Sequence, residues 1–348
     1  MKWPSVKIET TDGMKSGIAP QIISASRATD IPAFHAEWFA KRLDAGYVRW
    51  VNPFNQESQY ISLMDPKVIV FWSKNPAPMI PHLAKLDKRN ISYYFQFTVN
   101  DYDKDDLEPR VPPLDERIKT FKKLSKQIGK EKVIWRFDPL ILTENISVRH
   151  ILNKIKKVGE ALHPYTEKLV FSFADISSYA KVMRKLQSAG INYKEFTNDE
   201  MNEIAKGISQ LNNSWSIKIA TCAEKINLDE FGIEHNKCID DDLIMRITNN
   251  DNQLLGLLGR DTCRQTDMFT STISKKKTIK DKGQRLECGC IISKDIGQYN
   301  TCFHLCRYCY ANISEKAVIK NCDSLDTSTD SIIRNRKEEA EQREDETG

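Results

Sequence analysis

The sequence predicts an α/β fold: a parallel β/α barrel, complete or partial and TIM-like, with a cysteine-rich segment near the C-terminus. Three observations predict it. Seven short apolar stretches alternate with mostly helical patterns, and strands separated by helices pair in parallel through right-handed crossovers. Residues 68–72 (Val-Ile-Val-Phe-Trp) are apolar without a break, as in strands buried on both faces. The residues after the strands are polar and charged, and in β/α barrels the carboxyl ends of the strands carry the active site.

Residues 1–18 read as an irregular leader, and 19–225 as the barrel. The first strand is 21–26; Asp30 as N-cap and Pro32 in the first turn start a helix, and Gly46 stops it. Strands follow at 47–51 and 68–72, with no convincing helix in the 53–66 link between them. A helix over 77–87 leads to a strand at 91–98. Pro112 and Pro113 open a helix that Gly129 ends, before a strand at 132–137. Ser147 caps a helix to Leu162, and 168–173 is strand again. Helical patterns over 176–189 and 198–212 precede the seventh strand, 215–221. The 226–287 segment reads as a connection with one helix near 241–258, 288–320 as a cysteine-rich segment packed on the barrel, and 321–348 as a charged, partly disordered tail.

The 348 residues can bury a substantial core, and a 40% hydrophobic content excludes a disordered chain. No apolar run approaches the ~18 residues of a membrane span, and no apolar leader follows Met1. Nine cysteines, mostly in the last third, then read as metal thiolates in a reducing cytoplasm rather than as disulfides. A net charge of +4 is too mild to predict a nucleic-acid partner by itself.

Cys302, Cys306 and Cys309 stand at C-x3-C-x2-C with Tyr308 before the last. Three thiolates can hold a [4Fe–4S] cluster and leave one iron open for chemistry. Cys288 and Cys290 just upstream keep a four-cysteine zinc ribbon as an alternative. Cys222, Cys238, Cys288 and Cys290 are expected to form a second metal site, an auxiliary [4Fe–4S] cluster or zinc, with the nearness of a redox cluster favouring iron. Cys263 and Cys322 stand outside that set. The strand ends supply candidate catalytic groups, Arg27 and Asp30 after the first strand and Arg136 and Asp138 at the fifth; if purely structural, these would pair with each other.

The run Tyr-x-x-Cys-x-His-x-Cys-x-Tyr-Cys-Tyr-Ala, residues 299–311, resembles the cluster loop of radical S-adenosylmethionine (SAM) enzymes, closest to the spore photoproduct lyase-like branch. The resemblance implies reductive cleavage of SAM and hydrogen abstraction from a substrate that it does not name. Residues 68–76, ending Ser73-Lys74-Asn75-Pro76, look like the branch's strand that presents a lysine to the SAM carboxylate. Gln96, Thr98 and Tyr308 are then also implied to face SAM. In that branch the cluster loop precedes these strands, so the barrel reads as circularly permuted. Over about nine tenths of its length the chain resembles the family called domain of unknown function 1848, with Val133-Ile134-Trp135-Arg136-Phe137-Asp138-Pro139 and Cys288-Gly289-Cys290 as specific pieces. The implied partners are a flavodoxin- or ferredoxin-like electron donor and an unknown substrate. A DNA repair lyase-like radical SAM enzyme and a non-catalytic zinc or iron–sulfur module stand as alternatives.

Overall fold

The computed structural model describes residues 3–258, 279–281, 283–322 and 326–333. The chain opens on a hairpin of β1 (Ser5–Thr10) and β2 (Gly13–Ile18). Its turn uses Gly13 at a φ of 90°, where a Cβ is disfavoured. The expected irregular leader is therefore strand from Ser5 onward, with Val6 and Ile8 turned inward and Lys7 and Glu9 exposed.

Next come β3 (Ile22–Ala25), α1 (Ile31–Phe34), α2 (Ala36–Ala45), β4 (Tyr47–Val51) and β5 (Ser58–Ser62). β4 pairs antiparallel with β5 and β5 pairs parallel with β2, giving a four-stranded sheet in the order β1-β2-β5-β4. The expected second barrel strand thus lies in a separate sheet. This also explains the missing helix in 53–66: an antiparallel return needs no crossover.

The main sheet continues through β6 (Val68–Ser73), α3 (Leu83–Lys88), β7 (Ser92–Thr98), α4 (Leu114–Ile128) and β8 (Val133–Leu140). Then follow β9 (Leu142–Thr143), α5 (Val148–Leu162), β10 (Lys168–Phe173), α6 (Ala180–Ser188), β11 (Tyr193–Lys194), α7 (Asn198–Trp215), β12 (Lys218–Thr221) and β13 (Ile233–His235). α8 (Asp241–Ile247), α9 (Asn252–Leu257), β14 (Lys294–Asp295) and α10 (Glu315–Cys322) complete the described strands and α-helices. Eight strands form one sheet in the order β13-β12-β10-β8-β7-β6-β3-β14, parallel at every pairing. Six of the seven expected strands lie in it, wound in chain order; β14 returns late to join β3. Among the described residues no ladder joins the edges β13 and β14, so the architecture is a large parallel α/β sheet rather than a closed barrel of backbone bonds.

The strands are buried on both faces, and alternation assigns the faces. Ile23, Phe71, Phe95, Trp135 and Phe171 pack toward the helices in the principal core. Ile22, Val70, Tyr94, Ile134 and Val170 face the opposite way, against Cys238, Ile239, Ile244, Leu254 and Cys290. The single helix expected over 241–258 is two, because Asn249 and Asn250 both take left-handed φ values, 51° and 57°. Part of the expected charged tail is docked: Trp38 donates to the Thr329 carbonyl (2.8 Å), Arg49 pairs with Asp330 (2.8 Å) and Ile332 is buried. Residues 323–325 and 334–348 of that tail, and Cys263, lie outside the described residues.

Candidate active site at the strand ends

The 299–312 loop folds on itself and then onto the sheet. The Asn312 amide donates to the Cys302 carbonyl (2.7 Å), Asn300 N–H donates to the Ala311 carbonyl (3.0 Å), and Cys309 N–H donates to the Cys306 carbonyl (3.1 Å). Lys185 of α6 donates to the carbonyls of Cys309 and Asn312. His304 is buried under the loop, its Nε2 2.9 Å from Asp30 Oδ2 and its ring edge-on to Phe34 at 4.6 Å. The same Asp30 carboxylate caps α1 through Ala33 N–H (2.9 Å) and accepts from Lys74 N–H (2.7 Å). Arg307 N–H donates to the Leu107 carbonyl (3.0 Å). The loop therefore rests on segments that leave the carboxyl ends of β3, β6 and β7.

Beneath it lies a buried charge network. Lys74 Nζ is 2.6 Å from Glu108 Oε1 and donates to the Tyr308 hydroxyl at 2.9 Å. Tyr308 in turn donates to Glu108 Oε1, and the Asn100 amide donates to the same oxygen (2.9 Å). Arg117 Nη1 stands 3.6 Å from Glu108 Oε2, and neither side chain is exposed. Burial alone would raise the Glu108 pKa, but Lys74 and Arg117 outweigh it and hold the carboxyl at about 2. The Lys74 pKa is raised: burial opposes the charge, and Glu108 more than restores it.

Burial pushes Cys306 up to about 12, with Glu108 and Cys309 adding to the rise and Lys74 opposing it. Cys302 is likewise raised, by burial and then by Asp30, Cys309 and Cys306. Cys302 and Cys306, which resist ionising, together with Cys309 beside them make a donor set whose crowded negative charge a cationic iron centre would relieve. Ala311 N–H already points at Cys309 Sγ (3.3 Å), as a hydrogen bond to a thiolate ligand requires. The residues present fit a cluster.

Arg136 and Gln96 serve a different neighbourhood from Lys74. Arg136 Nη1 donates to Gln96 Oε1 (3.2 Å) and to Cys238 Sγ (3.0 Å), while its Nε pairs with Asp138 (3.1 Å). Gln96 donates to the Cys238 carbonyl (2.9 Å), and Thr98 is buried in register with Arg136. Asn100 links the two regions: its Oδ1 accepts from Asp138 N–H (2.9 Å) and its Nδ2 serves Glu108 and Tyr308. Arg136 and Asp138 form the expected pair, but Arg27 does not pair with Asp30. Its N–H donates to Asp295 (2.9 Å) and its guanidinium lies 5.0 Å from the Trp72 ring centre. Of the second cysteine set, Cys222 and Cys238 approach to 3.5 Å between sulfurs, and Cys238 N–H donates to Cys290 Sγ (3.2 Å).

Sequence reasoning left out Asn100, Glu108, Lys185, Asp295 and His304 as site residues. Each acts through a partner far along the chain: Asp295 accepts from Ser24 and Ser26 at 2.7 Å across about the full length of the fold. The one local signal was His304 between two of the loop cysteines, a polar ring in a metal-binding motif.

A family profile described as "Domain of unknown function (DUF1848)" matches residues 22–311. No curated protein matches the chain. Among solved structures, one described as "a putative alpha-L-fucosidase from Bacteroides thetaiotaomicron VPI-5482" is similar at a TM-score of 0.25 and 12% identity, over 56% of this chain and 74% of that one. So slight a likeness carries no argument about activity.

Proposed function

Since the chain belongs to the family of domain of unknown function 1848, whose description names no activity, we propose from the site alone that it is a radical SAM enzyme. Cys302, Cys306 and Cys309 would hold a [4Fe–4S] cluster, which when bound supplies the electron for reductive cleavage of S-adenosylmethionine. One observation carries the proposal: the three-cysteine loop is seated over the strand ends with a half-buried lysine, Lys74, held beside its Tyr308. A structural zinc loop has no use for a half-buried lysine held beside it and kept charged by a fully buried carboxylate.

The protein's own groups then have distinct tasks. Lys74 uses two of its three N–H groups on Glu108 and Tyr308, and the third is the donor for a ligand carboxylate. Glu108 holds the ammonium in place and keeps it protonated. Because Glu108 already answers that charge, Lys74 contributes orientation and a charge-assisted hydrogen bond rather than net attraction. Asp30 and His304 fix the loop over the strand ends, and the surrounding walls exclude water.

The test is anaerobic reconstitution with iron and sulfide, followed by reduction and electron paramagnetic resonance. About four irons per chain at this site and a spectrum that changes on adding SAM are expected. A cluster whose spectrum ignores SAM would remove the proposed activity while leaving the iron site.

A further inference from the structure

Lys185 stands in the last turn of α6, a helix whose Val182 and Leu186 are buried in the principal core. A cation at that position ordinarily serves the free carbonyls of its own helix end. Lys185 instead donates to the carbonyls of Cys309 and Asn312, 124 and 127 residues further along the chain. The residue is half-buried. Among the described residues the ionisable groups that act on its charge are Cys309 and Cys306, with no carboxylate among them. Lys74, the other lysine whose charge acts on Cys306, is answered by Glu108.

The two bonds grip the metal-binding turn itself. Cys309 and Asn312 bracket Tyr310 and Ala311, and the Ala311 N–H points at Cys309 Sγ (3.3 Å). Asn312 also donates to the Cys302 carbonyl (2.7 Å). One ammonium therefore holds the last loop cysteine directly and the first through Asn312. The reduction potential of an iron–sulfur cluster follows its net charge and the hydrogen bonds to its sulfurs. Lys185 bears on both.

A plain staple between helix and loop needs no charge: a neutral donor makes the same two bonds without the cost of taking an ammonium out of water. An unanswered cation is useful where negative charge accumulates. Three thiolates outweigh the positive charge of a cubane core, and reduction adds an electron to it.

We infer that Lys185 is a positioning residue that raises the reduction potential of a cluster held by Cys302, Cys306 and Cys309, through its charge and through the turn that carries the Ala311 N–H. The inference rests on the radical SAM reading, because it needs the cluster, and adds the group that sets how readily the cluster takes its electron. The step is a one-electron reduction: a low-potential donor loses the electron that the cluster gains, and no bond at Lys185 forms or breaks.

The experiment reconstitutes the full-length chain, Lys185→Met and Lys185→Arg anaerobically with iron and sulfide, without SAM. Each is titrated with dithionite against mediator dyes, and the reduced cluster is counted by electron paramagnetic resonance. Lys185→Met should hold about four irons per chain yet reduce about tenfold less readily, a midpoint lower by about 59 mV for a one-electron couple. Lys185→Arg keeps the charge and should recover most of that fall. Equal midpoints in the unaltered chain and Lys185→Met, with iron in both, overturn the inference and leave the cluster reading in place. An equal fall in Lys185→Arg also overturns it. Absence of iron from the unaltered chain overturns the cluster reading, and the inference with it. If Lys185→Met alone fails to hold iron, Lys185→Gln, which keeps an amide donor, is titrated instead and should show the same fall. Loss of iron from that variant too makes Lys185 a scaffold of the loop and overturns the inference.

Discussion

At the scale of single residues, Glu108 governs the candidate site. Its folded pKa of about 2 lies below the ~4.3 of an unfolded glutamate, so the folded state binds the proton more weakly. The stability it contributes is full above the unfolded value and is lost as pH falls through the folded one. Two pKa units in a fully buried group correspond to about 3 kcal/mol. Denaturant melts between pH 5 and pH 2 should show a loss of that order in the unaltered chain and a flatter profile in Glu108→Gln; identical profiles would contradict the role. Lys74→Ala should weaken SAM binding roughly tenfold to a hundredfold, the value of a charge-assisted bond in a shielded site, while cluster iron stays intact. Calorimetry that finds the same Kd in both proteins would make Lys74 purely structural. Lys74 was legible in the sequence because it ends an apolar strand, but Glu108 was not, since it reaches Lys74 from 34 residues further along.

At the scale of elements, helix packing sets a tight constraint where α5 crosses α7. A Cβ on Gly159 would lie 2.2 Å from the Trp215 ring, whose indole is buried and wedged edge-on against Trp135. Alanine favours a helix over glycine by up to about 1 kcal/mol, but overpacking costs about 1–3 kcal/mol, so Gly159→Ala should destabilise. A urea midpoint that rises in this variant would mean the two helices separate freely. Elements themselves were mostly legible: β6, β7, β8, β10 and β12 fall where apolar runs end in polar residues, and Asp30 caps its helix as expected. Sheet membership was not. β4 looks like a barrel strand because strand propensity reports local fit to a pleated surface, whereas its antiparallel partner β5 decides which sheet it joins. The Asn249-Asn250 break in the helix expected over 241–258 was equally hidden, since asparagine tolerates both helical and left-handed backbone.

At the scale of the whole molecule, the cysteine-rich loop contacts the segments that leave the carboxyl ends of β3, β6 and β7. The docking of 326–333 was not legible, because its mostly polar composition hides the buried anchor, Ile332. A chain ending at 325 should be less stable than one ending at 333 by about 1.5–3 kcal/mol, the value of burying one large aliphatic side chain. Equal midpoints would show that the docked segment contributes nothing. The claim that joins all these scales is that the loop over the strand ends performs reductive SAM cleavage. It is tested most directly by assaying 5′-deoxyadenosine after anaerobic reconstitution, reduction and addition of SAM, with and without cell extract as a source of substrate. The account predicts 5′-deoxyadenosine from the unaltered chain and none from Cys306→Ala. Equal product from both, or none from a chain carrying its full complement of cluster iron, would contradict it.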